Sequence, residues 1–303
     1  MTHAGWELIE WLGSATGGAA SLGGKGASLD MLGRFGFRVP PGFCLTTVAF
    51  RTQLAATVDA ALVATGAVDI EAVAAGLARV PLVDGVAAPL ANAIDRLVAT
   101  VGEAGFQPRF AVRSSAIGED GSAASYAGLH ETELDIAPGE IGGAVRRCWA
   151  SLWSPAAIAY RRRRDLSAAD AAMAVVVQAL VPADAAVVVF TRHPVTGRDD
   201  QLVLTAVRGL GDAMVSGMVT PDTYVVNRAT RAVDTFEPGE DPAGQALTPD
   251  ALAEIVELAY AVEAKFGRAV DIEAAFAGGR WYLLQARPIT TGAPTGTATA
   301  ARP

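Results

Sequence analysis

Apolar positions along this chain follow two different periods. From 249 to 266, Leu252, Ile255, Val256, Ala259, Val262 and Phe266 recur at helical spacing. Thr248 supplies an N-cap, Pro249 occupies the first helical position and Gly267 closes the helix. Strand-like runs stand at 173–180, 186–191 and 201–207, and again at 270–276 and 281–287 around Gly278-Gly279. Residues 51–105 are Ala-rich with helical spacing, which Pro81 and Pro89 are expected to break. A strand at 110–114 runs into a polar loop, 115–128, and a helical stretch covers 138–164. Near the start, the glycine-rich segment 22–26 precedes a short amphipathic helix at 27–35, with an extended exit at 39–43. Strands and helices mixed in this way indicate an α/β or α+β chain.

Composition changes this picture little. Hydrophobic residues reach 51% and mean hydropathy is +0.31, but Ala and Val account for much of both, and 18% of residues are charged. The one stretch resembling a membrane span, 171–191, contains Gln178, Pro182 and Asp184 and reads better as two buried strands around a polar turn. Without a basic-plus-apolar leader, the expectation is a soluble cytoplasmic protein with no membrane partner. A net charge of −8 and a pI near 5.0 argue against nucleic acid as a partner. The run Arg161 to Arg164 reads as the solvated end of a helix, with an anion site as the alternative. Cys44 and Cys148 lack CxxC spacing and are expected to be reduced, semi-buried side chains.

Three groups of residues could carry chemistry. Gly23-Gly24-Lys25-Gly26 offers backbone N–H groups and a lysine to a phosphate, although a glycine-rich turn with a solvent lysine looks the same and no Walker A spacing is present. Arg113 ends an apolar strand, and Ser114 and Ser115 beyond it could help it grip phosphate. Pairing of the arginine with Glu119 or Asp120 in a surface loop fits equally well. Both Lys25 and Arg113 are placed in polar loops, where truncation is expected to cost within about 0.5 kcal/mol. On the last two strands, Asp271 shares a face with Glu273, and Gln285 with Arg287. Carboxylate and amide oxygens suit Mg²⁺, and the arginine suits phosphates. A merely solvated hairpin face is the alternative.

If Glu273 and Gln285 serve one ion, strand parity restricts the turn between them. A two-residue loop pairs Glu273 with Leu284 and turns Gln285 to the other face. A three-residue loop, Gly278-Gly279-Arg280, or an equivalent bulge, pairs Glu273 with Gln285 and Asp271 with Arg287. That register also gathers Ile272, Ala274 and Phe276 with Tyr282, Leu284 and Ala286 on one apolar face.

Taken in order, these segments resemble the N-terminal nucleotide-binding domain shared by phosphoenolpyruvate synthase, pyruvate phosphate dikinase and rifampicin phosphotransferase. The matching stretches are LGGKGASLDML (22–32), VPPGFCLTTVAF (39–50), AVRSSAIGEDGSAASYAGLHET (111–132), VVVQALV (175–181), VFTRHPVTG (189–197), GLGDAMVSGMVTPDTY (209–224), DIEAAF (271–276) and LLQARPIT (283–290). The resemblance implies an α+β, ATP-grasp-like fold whose two subdomains enclose ATP. It divides the chain into an N-terminal subdomain at 1–190, a C-terminal one at 191–290 and a flexible tail or linker at 291–303. Residue by residue, it implies that Lys25 and Arg113 bind the ATP phosphates, that Glu273 and Gln285 hold Mg²⁺, and that Arg287 contacts the transferring phosphates. Lys25, Arg113 and Arg287 would be the catalytic groups; Gln178 would approach the nucleotide and Thr132 would sit in a loop over the phosphates. Departures from the family pattern are Val187 for a glycine, Asp212 for a glutamate and Ala274 for a tryptophan. The first two are expected to alter nucleotide fit or lower activity.

In this family a histidine on a mobile domain takes phosphoryl groups from ATP. The three histidines here, His3, His130 and His193, do not sit in the small-residue, Ser-His context of that carrier. The expected role is therefore the ATP-binding, phosphoryl-donating half of a dikinase-type reaction that gives AMP. Its partners would be a separate phosphohistidine carrier domain or subunit and an acceptor-binding domain. The chain reads either as a stand-alone subunit or as an excised part of a longer enzyme. A weakly catalytic regulatory subunit and an ATP-grasp ligase releasing ADP are the alternatives.

Overall fold

Three consecutive valines make Met173–Ala179 a strand (β5) buried on both faces, and the first half of the molecule is assembled around it. A computed structural model describes residues 7–57, 70–103, 105, 107–117, 132–163 and 171–289. They fall into two compact units, Met1–Pro182 with Tyr282–Gln285, and Ala183–Trp281 with Ala286–Pro303. The candidate residues Glu119, Asp120, His3, His130 and Arg164 and the tail at 291–303 lie outside the described residues.

In the first unit β5 joins β1 (Ile9–Trp11), β2 (Gly42–Leu45), β3 (Phe110–Ala116) and β4 (Thr132–Ile136) in an antiparallel sheet of order β1-β2-β5-β3-β4. Its helices are α1 (Ala19–Arg34), α2 (Thr47–Thr57), α3 (Ile70–Arg79), α4 (Asp84–Glu103), α5 (Ile141–Ser151) and α6 (Pro155–Arg163). Alternate residues of each strand share a face. Phe110, Val112, Val175 and Val177 therefore enter one core with Phe50, Leu77, Leu97, Ile141 and Trp149 from the helices. Trp149 anchors that core: its indole N–H donates to the Met173 carbonyl at 3.1 Å, and its ring meets Phe50 edge-on at 6.0 Å. The other face of the sheet receives α1.

Several sequence expectations change here. α1 begins at Ala19, not at 27, so the glycine-rich segment lies inside a helix kinked at Gly23 (φ 68°, ψ −178°). Pro89 sits near the start of α4 without breaking it. The stretch 138–164 is divided at Leu152. Arg161 belongs to no solvated face: it is buried, donates to the Leu152 carbonyl that ends α5, and lies over the Trp153 ring at 5.2 Å. Cys44 and Cys148 are free and fully buried, and burial, followed by the charges of Glu10 and Asp30, pushes the Cys44 thiol far up.

The second unit contains β6 (Ala185–Phe190), β7 (Gln201–Arg208), α7 (Asp212–Val215), β8 (Asp222–Asn227), β9 (Val233–Glu237), α8 (Pro249–Phe266), β10 (Val270–Ala277) and the two ends of β11 (Arg280–Pro288), whose residues Tyr282–Gln285 group with the first unit. Its sheet has the order β11-β10-β6-β7-β8-β9. Helix α8 forms as its sequence requires: Thr248 Oγ accepts the Ala251 N–H at 3.2 Å, and Gly267 closes the helix in the left-handed conformation. Ile255, Val256, Ala259 and Val262 are buried. The segment 171–191 holds the whole of β5 and β6, and among the described residues no single helix is long and apolar enough to cross a membrane.

Val187 and Ala274, two of the positions that depart from the resemblance, are direct cross-strand partners and both are buried. Small opposite large in the family pattern has become medium opposite small at one packing position. Glu273 instead pairs with Val188, so Val187 projects to the face away from Glu273. We expect Val187→Gly and Ala274→Trp each to cost roughly 1–3 kcal/mol in denaturant unfolding, through lost contacts and overpacking respectively. The double variant should recover ~0.5–3 kcal/mol of the summed loss.

Candidate functional site

Most of the candidate groups collect on the α1-covered face of the first sheet. Gln178 pairs with Ala111 and Gly42, Val176 with Arg113 and Cys44, and Thr132 with Arg113. Directly opposed residues share a face, so Arg113, Thr132 and Gln178 project to the same side. Helix α1, which carries half-buried Lys25, packs on β3 and β5. A Cβ added at Gly26 would lie 3.1 Å from the Cys44 sulfur and 3.5 Å from the Val176 side chain, which places this turn of α1 against that face.

Arg113 is not a loop residue. It lies within β3, is 8% exposed, and donates to the Leu284 carbonyl at 2.6 Å and to Gln285 Oε1 at 3.1 Å. Its truncation leaves buried acceptors unpaired, so the small cost expected of a surface arginine does not apply. Gln178 is buried and donates to the Pro40 carbonyl at 3.2 Å. Thr132 is exposed at the start of β4. Ser114 and Ser115, read from the sequence as further phosphate-gripping groups, are both fully buried. The Ser115 hydroxyl is engaged with α1, and the Ser114 hydroxyl has no hydrogen-bond partner among the described residues.

Glu273, Asp271 and Arg287 belong to the second unit. The turn before β11 has two residues, Gly278 and Gly279, both left-handed (φ 55° and 73°), and not the three expected. It sets Ala277 opposite Arg280, and the Phe276 and Trp281 rings, 5.0 Å apart, obey that register. Continued unchanged, it would place Asp271 opposite Ala286 and turn Arg287 to the other face. Yet Arg287 Nε and Nη2 both lie 2.8 Å from Asp271 Oδ2. The ion pair therefore does not follow from the register set at the turn.

Burial raises the Asp271 carboxyl above its usual range, and Glu273 adds to the rise, while Arg287 opposes it through its charge and hydrogen bond. Among the described residues, no group of three or more His, Cys, Asp or Glu side chains gathers to hold a metal. A cavity of about 360 Å³ lies in the same unit, but it is lined by residues such as Arg208, Leu210, Met218 and Asp222 and by none of the candidate groups.

The family model for the pyruvate phosphate dikinase AMP/ATP-binding domain matches residues 19–302. The chain belongs to this family. It is 36% identical over 306 residues to the prodigiosin synthesizing transferase PigC of Serratia marcescens, covering 94% of this chain and 33% of that protein. It is 39% identical over 301 residues to the rifampicin phosphotransferase of Streptomyces sviceus, covering 90% and 34%. A probable phosphoenolpyruvate synthase of Methanocaldococcus jannaschii is 34% identical over 320 residues, covering 94% and 27%. The domain thus spans about a third of the length of these relatives. Likeness to solved structures is loose: an acetyl-coenzyme A synthetase of Ca. Korarchaeum cryptofilum has a TM-score of 0.36 at 11% identity over 64% of this chain and 80% of that one. The fold therefore rests on the domain's own sheets.

The sign of the Asp271 shift yields a test. A carboxyl raised by folding withdraws stability as pH rises from its unfolded value, about 3.9, through its folded value. Arg287→Met removes both influences that hold the shift down, so the window extends upward. The variant should cost roughly 1–3 kcal/mol at pH 7, less than a fully buried pair because Arg287 is 35% exposed. The difference from the parent domain should shrink below the unfolded value. Urea unfolding across pH measures it.

Proposed function

We propose that this dikinase-family domain is an ATP-grasp-like module that binds MgATP and passes phosphoryl groups to a histidine on another domain or chain, leaving AMP. The observation that carries this reading is the common face shared by Arg113, Thr132 and Gln178 beneath the Lys25-bearing helix. A nucleotide polyphosphate carries dispersed negative charge, and a lysine, a buried arginine and hydrogen-bonding side chains on a rigid sheet suit it. Lys25 and Arg113 would neutralise the phosphates, and Arg287 would steady the group in transfer. Gln178 would orient the nucleotide and Thr132 would approach its phosphates.

Glu273 and Gln285 would hold Mg²⁺, which when bound screens phosphate charge. A carboxylate and an amide supply hard oxygen donors, and so small a protein set leaves the other positions of the ion to water and phosphate oxygens. The Gln285 oxygen already accepts from Arg113, so it can retain its orientation with one lone pair still available. An intracellular setting belongs to the same proposal, since ATP is the donor.

His193 supports a carrier histidine located elsewhere. Its Nδ1 accepts N–H groups from Val195 and Thr196, both at 3.2 Å. Those contacts engage Nδ1 within its own loop.

Titration calorimetry should show MgATP binding to the domain, and nucleotide analysis should show little AMP or ADP from the domain alone. AMP should appear when candidate histidine domains are added. Vigorous ADP release by the domain alone would contradict this function and favour a ligase. Lys25→Met should weaken MgATP binding at least about tenfold, as expected for loss of a charge-assisted contact worth ~1.5–3 kcal/mol. Its unfolding midpoint should stay near that of the parent.

A further inference from the structure

We infer that Ser115 is a positioning residue whose hydroxyl is built into the turn of α1 that presents Lys25; this rests on the phosphate-binding reading of that lysine. In an uninterrupted α-helix the Gly26 N–H would donate to the Leu22 carbonyl. Here the chain leaves helical geometry at Gly23, and the Ser115 hydroxyl, from β3, is inserted between the two groups. Its oxygen accepts the Gly26 N–H at 2.9 Å, and its proton goes to the Leu22 carbonyl at 2.7 Å. One side chain thus completes the helical ladder from outside, and the residues between its two contacts are Gly23, Gly24 and Lys25.

Two further features tie the kink to this serine. Gly23 has φ 68°, where residues with a Cβ are strained, and a Cβ there would lie 2.0 Å from the Ser115 carbonyl oxygen and 2.4 Å from its hydroxyl. Helix and strand approach this closely only because position 23 is a glycine. Ser115 is fully buried, so its hydroxyl meets no solvent and is committed to the bridge. Adjacent Ser114 is also fully buried, but its hydroxyl bridges nothing among the described residues. It provides a neighbouring control of identical chemistry.

Removing the hydroxyl deletes the hydrogen bonds at both ends of the bridge across the kink. The turn then relaxes, and Lys25 loses its fixed presentation while the core of the sheet stays intact. Lys25 and Lys265 are the only lysines in the sequence, so amine labelling reads the environment of Lys25 directly against an internal reference.

The test uses the full chain and the variants Ser115→Ala, Ser114→Ala, Lys25→Met and the Ser115→Ala/Lys25→Met double. MgATP and adenosine affinities are measured by calorimetry. The rates at which trinitrobenzenesulfonate labels Lys25 and Lys265 are measured by peptide mass spectrometry, and the fold is checked by circular dichroism. Ser115→Ala should weaken MgATP binding about tenfold and leave adenosine binding unchanged, because the bridge acts through a phosphate-binding side chain. It should also alter the Lys25-to-Lys265 labelling ratio, and the double variant should bind no worse than Lys25→Met alone. Ser114→Ala should match the parent in both measurements. An unchanged labelling ratio in Ser115→Ala, or losses that multiply in the double variant, would overturn the inference. If the parent does not bind MgATP, the proposed function fails, while the labelling ratio still decides the role of Ser115. Should Ser115→Ala not fold, Ser115→Cys, which keeps the volume with a weaker donor, takes its place in the same comparison.

Discussion

No Cβ fits between Gly23 and Ser115. That steric fact sets how closely α1 can lie on the first sheet, and much of the candidate site depends on it. With the helix held tight to β3 and β5, Cys44 and Val176 are buried beneath it. Arg113, Thr132 and Gln178 occupy the same face. A helix displaced by one methyl group would lose the hydroxyl bridge and uncover the sulfur below it. A glycine whose identity is dictated by packing therefore stands two residues from the lysine expected to meet phosphate.

The other polar groups follow a related economy. Buried Arg113 is satisfied by a carbonyl and by the Gln285 amide, and buried Asp271 by the Arg287 guanidinium. Each arrangement fixes the direction of a side chain that would otherwise be costly to bury. The Asp271 carboxyl remains raised despite its partner, because burial outweighs the charge of Arg287. A group balanced in this way responds to any change in charge nearby, whether from pH, mutation or a phosphate.

Much of this was legible in the sequence where a single local rule applied. α8 was readable to its caps because Thr248, Pro249, the apolar stripe and Gly267 agree. The valine-rich strands β5 and β6 were visible because burial on both faces leaves continuous apolar runs. β9 was not, since its residues are largely exposed and carry no such run, and β8 alternates too briefly to stand out. The start of α1 was missed because glycines read as a turn, whereas a strand serine completes that helix from 89 and 93 positions away. The strand under Arg113 was legible but its burial was not, because its partners are more than 170 positions distant. The turn at Gly278 and Gly279 has two residues where the shared-face argument asked for three, because both glycines take left-handed conformations and close the hairpin directly.

The most direct test is to map a bound nucleotide onto the domain. Backbone amide shifts should be followed by NMR as Mg²⁺ and a non-hydrolysable ATP analogue are added. Binding on the first-unit face should perturb the amides of Lys25, Arg113, Thr132 and Gln178 together, in a saturable manner that requires the phosphates. Perturbations confined to the second-unit cavity around Arg208, Leu210 and Asp222, with the Lys25 and Arg113 signals unmoved, would contradict it.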